Sequence, residues 1–392
     1  MNVLKLAQLA AFGAALAVPA VSAHAEDPIK IGAVLSMTGP AGYAGDPEEK
    51  TLRSEVKALN EAGGLLGRPV ELVIYDDGGD ANTARTYITR LTENDGVVAV
   101  IGGSLTGTTM AMIPVAEMAE LPQISLAGAL QIVEPVRPYV FKTPHSDRMA
   151  CEKIFSDMKA QNITNVGLIS GTDGFGASMR QQCINVAPKY DIKIVADETY
   201  GPTDIDMTPQ LNRMKNTEGL QAVLNPGLGT GPVTVTRNFR QLAMDVPLYQ
   251  GHGVATDSFR DLVGADGNGV RMPAAALLVP DLLAPDLLAE GAPQKEAVDE
   301  YIARYTAAYN EPVTTFGGYA YDAFHILVDA IEEADSTEPA KVREALERTA
   351  DYLGVTGVFN MNAEDHLGLD PSAFIMVEIR DGKWAVVDAH AQ

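Results

Sequence analysis

From Ile29 onward, short apolar runs and longer amphipathic runs take turns, and this alternation restricts the chain to very few folds. "IKIGAVLSMTG" reads as an apolar strand ending in a Gly-containing turn. "EEKTLRSEVKALNEAGG" has helical periodicity and closes on Gly63 and Gly64, the residue type that helix C-termini favour. "PVELVIYDD" then reads as a strand, "ANTARTYITRLTENDG" as a helix, and "VVAVIGG" as a strand apolar enough for burial on both faces. "TGTTMAMIPVAEMAE" and "LPQISLA" add another helix and strand. Strands separated by helices predict a parallel sheet with helices covering its faces. After "YVFKTPHSD" the rhythm restarts with "RMACEKIFSDMKAQN", "NVGLIS", "FGASMRQQCINVAPKY" and "KIVADETY". It runs on through "MTPQLNRMKN", "LQAVLN", "GPVTVTRNFRQLAM" and "PLYQGHG". The fold class this predicts is α/β, with two doubly wound lobes of similar size. Three helical segments come late, and "GVFNMNAEDHLG" with "AFIMVEIRDGKWAVVD" reads as strands around a turn.

Ligands of open α/β sheets bind beyond the carboxyl ends of the strands. Two such lobes facing each other make a cleft, lined by "SMTGPAGYAG", "GGSLTGTT", "SLAGA", "SGTDGFG", "NPGLGTG" and "GHGVAT". All six are rich in glycine or short side chains, which suits backbone recognition of a small polar ligand.

The N-terminus, "MNVLKLAQLAAFGAALAVPAVSAHA", has an early lysine, an apolar run and small residues before "AHA". That is the pattern of a secretory signal peptide over residues 1–25, cleaved after Ala25. The apolar run is shorter than the ~20 residues of a spanning helix and is broken by Pro19. Export to the periplasm is therefore expected. Lys and Arg total 29 against 52 Asp and Glu, a formal charge of -23, so neither nucleic acid nor an anionic membrane surface is an expected partner.

Export places the two cysteines, Cys151 and Cys183, in an oxidising compartment. Their spacing and number exclude a CxxC redox pair and a zinc site, leaving two buried thiols or one disulfide. Each lies on a helix flanking the strand "NVGLIS", and consecutive helices around a strand can pack side by side on one face. A Cys151–Cys183 disulfide is the expectation, provided the Cα atoms come within ~7 Å. No GxSxG, HExxH or P-loop pattern occurs, and "HSD" at His145–Asp147 is adjacency rather than a triad. "TDIDMT" lacks the spacing of a calcium loop. No catalysis, metal or cofactor is expected.

Several stretches resemble the branched-chain amino-acid-binding family of periplasmic receptors for ABC importers. They are "IKIGAVLSMTGPAGYAGD", "LNEAGGLLGRPVELVIYDD", "AVIGGSLTGTT", "LPQISLAGA", "GLISGTDGFGASM", "DETYGPTDIDMTPQLNRMK" and "FGGYAYDAFHILVDAI". The resemblance implies the type I periplasmic binding fold, two Rossmann-like lobes joined by a three-crossover hinge. The crossovers are expected near Lys142–Pro144, Ala276–Val279 and Gly354–Thr356. The first lobe then comprises 26–142 plus 279–354, and the second 143–278 plus 355–392. The implied partners are a small organic molecule and the membrane permease of an ABC importer, served by a monomeric receptor. A ligand-sensing receptor of the same fold is the alternative.

The resemblance also implies site positions. A ligand carboxylate would meet Thr106 and the N–H groups of Gly107 and Thr108 at a helix start, an anion seat that is equally a plain N-cap. The backbone of Ala127 would lie against the ligand, and Ala129 stands where amino-acid binders carry a second hydroxyl. His252 occupies the position of the acid that pairs with a ligand ammonium, unless it is a surface-loop histidine. Imidazole cannot neutralise an ammonium; it offers a hydrogen bond or a positive charge. Phe175, Leu228 and Tyr43 would wall the pocket, with Asn225 beside it, while Asp173 is a rival partner for a ligand ammonium that in the family more often shapes the turn. "KTPHSDRMACEK", "TRNFRQL" and "TTFGGYAYDA" resemble members associated with aromatic carboxylates such as benzoate derivatives. The expected ligand is a small organic anion of that kind, with a branched-chain or other amino acid or amide as the alternative.

Overall fold

The computed structural model describes residues 27–282 and 293–387. The expected cleavage after Ala25 lies outside these residues. Five parallel strands form the first sheet: β1 (Ile29–Leu35), β2 (Val70–Asp76), β3 (Ala99–Gly102), β4 (Gln123–Ser125) and β5 (Val140–Lys142). They lie side by side in the order β2-β1-β3-β4-β5. Ile31, Ala33, Val34 and Leu35 of β1 are all fully buried, because helices cover both faces. The connecting helices are α1 (Gly42–Glu61), α2 (Ala81–Arg90) and α3 (Thr106–Met118).

The second sheet contains β6 (Asn165–Gly171), β7 (Lys193–Tyr200), β8 (Ala222–Asn225), β9 (Leu248–Gln250) and β10 (Arg271–Ala275), which run parallel. Its helices are α4 (Asp147–Ala160), α5 (Gly174–Val186), α6 (Thr208–Lys215), α7 (Gly231–Gln241) and α8 (Asp257–Val263). The chain then leaves this sheet, and α9 (Pro293–Tyr309), α10 (Thr315–Ala334) and α11 (Pro339–Leu346) follow, with α9 and α10 packing on α1. β11 (Tyr352–Leu353) and β12 (Val358–Phe359) make a separate small ribbon. β13 (Phe374–Arg380) and β14 (Lys383–Val386) form an antiparallel hairpin on β10, giving the order β14-β13-β10-β9-β8-β6-β7. This is the α/β, two-lobed type I periplasmic binding fold.

Three features depart from the sequence expectation. α1 begins at Gly42 rather than near Glu48, and its Gly45 lies against the end of β1, where a Cβ would sit 2.3 Å from the Ser36 carbonyl. The helix α2 runs into a π turn, Leu91–Asp95, that ends at the left-handed Gly96. The third passage between lobes, placed at Gly354–Thr356, falls later in the chain. Val355 and Thr356 are tied by their backbone N–H groups to Asp322 of α10, and the His366 ring stacks on Phe141 and bonds the Val140 carbonyl of β5. The chain therefore stays with the first sheet until it enters β13.

Cys151 on α4 and Cys183 on α5 form a disulfide, with Cα atoms 5.1 Å apart. The two helices pack side by side, which brings the thiols together.

Candidate functional site

The carboxyl ends of both sheets open on a cavity between the lobes. Two helices begin there, and each leaves a hydroxyl free in the same way. Leu105 is the N-cap of α3, and Thr108 exchanges hydrogen bonds with the Leu105 backbone at 3.0 and 3.3 Å. Thr106 is thus the first helical residue, not the cap, and its buried Oγ1 has no protein partner. On α10 the cap is Thr314, which accepts from the Gly317 N–H at 3.2 Å, so Thr315 Oγ1 is likewise buried and unpartnered. Both hydroxyls line the cavity beside helix N-termini, where unsatisfied N–H groups favour an anion.

His252 follows β9 and also lines the cavity. Its ring is packed edge-on between Phe175 and Phe374, each 5.2 Å away, and its Nδ1 has no partner. Burial is the main force pushing its pKa well below the ordinary histidine value, with the nearby His145 and Lys142 adding to it. The group is therefore a neutral imidazole near pH 7, which removes the positive-charge alternative. It is also not a surface-loop residue, being 7 % exposed.

Phe175, Leu228, Leu126, Ala127, Phe316 and Tyr319 supply most of the apolar wall. Ser104 adds a hydroxyl, but this one is engaged: it accepts from the Ser36 N–H at 3.0 Å and donates to Glu48. Glu48 is fully buried behind it, with Oε1 unpartnered, and burial raises its pKa well above the usual carboxylate range. Among the described residues no charged side chain lines the cavity itself.

The lobes touch around this cavity. A Cβ on Gly128 of the first lobe would lie 3.0 Å from both His252 Nε2 and the Phe175 ring. A Cβ on Gly174, in the second lobe, would lie 3.3 Å from the Gly107 nitrogen and 3.4 Å from Thr106. Gly107, Thr108 and Tyr43 line an outer chamber that Thr106, Phe175 and Leu228 share with the cavity. There the Tyr43 hydroxyl faces the Gly229 backbone amide across the cleft.

Two expected site residues lie elsewhere. Asn225 is fully buried and turns back into the second lobe, donating to the Ile169 carbonyl and to the Tyr200 hydroxyl, the latter at 3.1 Å. Ala129 is fully buried outside the wall, at the start of a short helical turn. Asp173 caps α5, accepting from the Phe175 and Gly176 N–H groups at 3.0 and 3.1 Å. Thr315, Phe316 and Tyr319 join the site from α10, where the paired hydroxyls of "TTFGG" mark a helix start. Among the described residues no cluster of His, Cys, Asp and Glu could hold a metal ion, and no helix is long and apolar enough to cross a membrane.

Two α/β lobes closing over a buried, uncharged cavity define a solute-binding receptor. The chain belongs to the periplasmic binding protein family, whose model matches residues 28–383. It is 24 % identical over 340 residues to a leucine-, isoleucine-, valine-, threonine- and alanine-binding protein of Pseudomonas aeruginosa, spanning 85 % of this chain and 86 % of that one. An extracellular ligand-binding receptor from Rhodopseudomonas palustris superposes with a TM-score of 0.85 at 26 % identity, over 92 % of this chain and 100 % of the other. The branched-chain amino acid transporter substrate binding protein LivJ from Streptococcus pneumoniae, in complex with isoleucine, gives 0.79 at 25 % identity, over 92 % and 99 %. Members of this family are exported binding proteins rather than enzymes.

Proposed function

We propose that this receptor binds a small organic carboxylate with an apolar, aromatic body, such as a benzoate derivative, and presents it to the membrane permease of an ABC importer. The observation that carries this is the pairing of free donors with an uncharged wall. Thr106 and Thr315 offer unpartnered hydroxyls at two helix N-termini, while among the described residues no acid lines the inner cavity, and Asp173, which borders the outer chamber, is engaged in capping α5. A buried ammonium without a counter-charge is expensive, whereas a carboxylate finds hydroxyl, imidazole and backbone N–H groups. Phe175, Phe316 and Tyr319 suit a ring.

A branched-chain amino acid is the second reading, favoured by the names of the relatives and by Glu48, whose carboxyl stands one hydroxyl behind the wall. Thermal shift with benzoates, branched aliphatic acids lacking an amino group, and leucine, isoleucine and valine separates the two. A ligand at one hundred times its Kd should stabilise the protein by about 2.7 kcal/mol. Shifts with the amino acids alone would overturn the carboxylate reading.

A further inference from the structure

Lys142 ends β5 and is fully buried. Its ammonium donates to the Gly128 carbonyl at 2.8 Å and approaches the Ala129 carbonyl at 3.5 Å; no carboxylate is among these partners. Asp147, the nearest acid acting on it, already accepts from the Leu130 and Arg148 N–H groups at 3.1 and 2.9 Å and from the Ser178 hydroxyl. Gly128 itself lines the cavity and abuts His252. The inner cavity, which has no charged side chain on its wall, thus has a lysine amine one peptide carbonyl behind it. An interior ammonium whose direct partners are carbonyl dipoles, with one acid acting from further off, is poorly compensated, and an anion arriving in the cavity would add what it lacks.

We propose that Lys142 is the counter-cation of the cleft: a carboxylate seated among Thr106, Thr315 and His252 draws a proton from solvent onto this amine, so anion binding and lysine protonation favour each other. The idea rests on the ligand's being a carboxylate. Burial lowers the Lys142 pKa to about 7, Asp147 opposing it, so the free protein is poised to gain the proton around neutral pH. His145, on the connection after β5, is pushed down to about 4, and His252 well below its ordinary value, both chiefly by burial. Burial moves the Asp147 carboxyl of α4 and the Tyr319 phenol of α10 upward. His366 meets the Lys142 N–H only through its backbone carbonyl. Asp322 of α10, raised by burial to about 7 and held by Thr356, is the competing proton acceptor and requires a control.

Calorimetric titration with benzoate, 4-methylpentanoate and leucine, in buffers of different ionisation enthalpy, counts the protons exchanged. The acid that binds should take up a large part of one proton at pH 7.5, and its affinity should fall by up to about tenfold per pH unit above pH 7. Lys142→Met should bind more weakly and exchange no proton. Lys142→Arg, which stays charged, should keep the affinity but lose its pH dependence, and Asp322→Asn should leave the uptake in place. Binding without proton uptake, uptake that survives in Lys142→Met, or uptake confined below pH 6 would overturn the proposal while leaving the carboxylate receptor standing. If none of the three acids binds, the carboxylate reading falls and this one with it.

Discussion

His252 lies between two phenyl rings, and that packing decides both what it offers a ligand and what it costs the fold. Neutral, with its ring bonded to the His145 backbone and Nδ1 unpartnered, it can exchange one hydrogen bond with a ligand such as a ring hydroxyl but cannot neutralise an ammonium. His252→Ala should weaken benzoate-type binding by about 1–3 kcal/mol, the cost of a lost buried hydrogen bond. His252→Glu should be worse for an anion and better for leucine, and equal affinities of all three forms in calorimetry would remove His252 from the site. Stability carries a second signature. The unfolded chain takes up a proton on this histidine near pH ~6.5 while the folded chain resists it, so wild-type stability declines as pH falls below that value. His252→Gln lacks this penalty. Between pH 7 and pH 5 the wild type should lose up to about 2 kcal/mol relative to His252→Gln, measured by denaturant melts. Parallel pH profiles for the two would mean that the imidazole takes up a proton as readily in the fold as in the unfolded chain.

At the scale of elements, α4 and α5 are joined by the Cys151–Cys183 disulfide on the same lobe that carries Phe175 at the start of α5. Cys183 sits two helical turns beyond Phe175, so the cross-link holds the helix pair without touching the cavity wall. The double variant Cys151→Ser, Cys183→Ser should lose about 2–4 kcal/mol of stability yet keep ligand affinity within about twofold. A large loss of affinity in calorimetry would show that α5 depends on the bridge to place Phe175. The helix starts explain what sequence could and could not disclose. The run "GGSLTGTT" announces a strand end and a helix N-terminus within eight residues, and Thr106 follows from that local pattern. Thr315, Phe316 and Tyr319 return to the same cavity on α10, far along the chain, and no spacing rule links them to Thr106. Asn225 has the opposite problem: its place at the end of β8 was legible, but whether its side chain turns towards the cleft or towards Ile169 depends on tertiary packing. The third crossover was misplaced for a similar reason. Tertiary contacts, among them those of His366 with β5 and of Met361 with Thr349, keep residues 357–369 on the first lobe.

For the whole molecule, the lobes meet through glycines that leave no room for a side chain, so closure is a steric property of the cleft as well as an electrostatic one. Gly174 is the first residue of α5, directly after its Asp173 cap, where most side chains suit a helix. Its limits come from across the cleft, where Thr106 and Gly107 of the first lobe would lie within 3.4 Å of a Cβ. Gly174→Leu should therefore leave each lobe folded but wedge them apart. Overpacking of this kind costs about 1–3 kcal/mol, here charged only to the closed state, so affinity should fall roughly tenfold or more. The variant should melt close to the wild type without ligand. With saturating ligand, small-angle scattering should give a larger radius of gyration than the wild-type complex has. Wild-type affinity together with a wild-type radius would show that the lobes accommodate the side chain and that Gly174 does not govern closure.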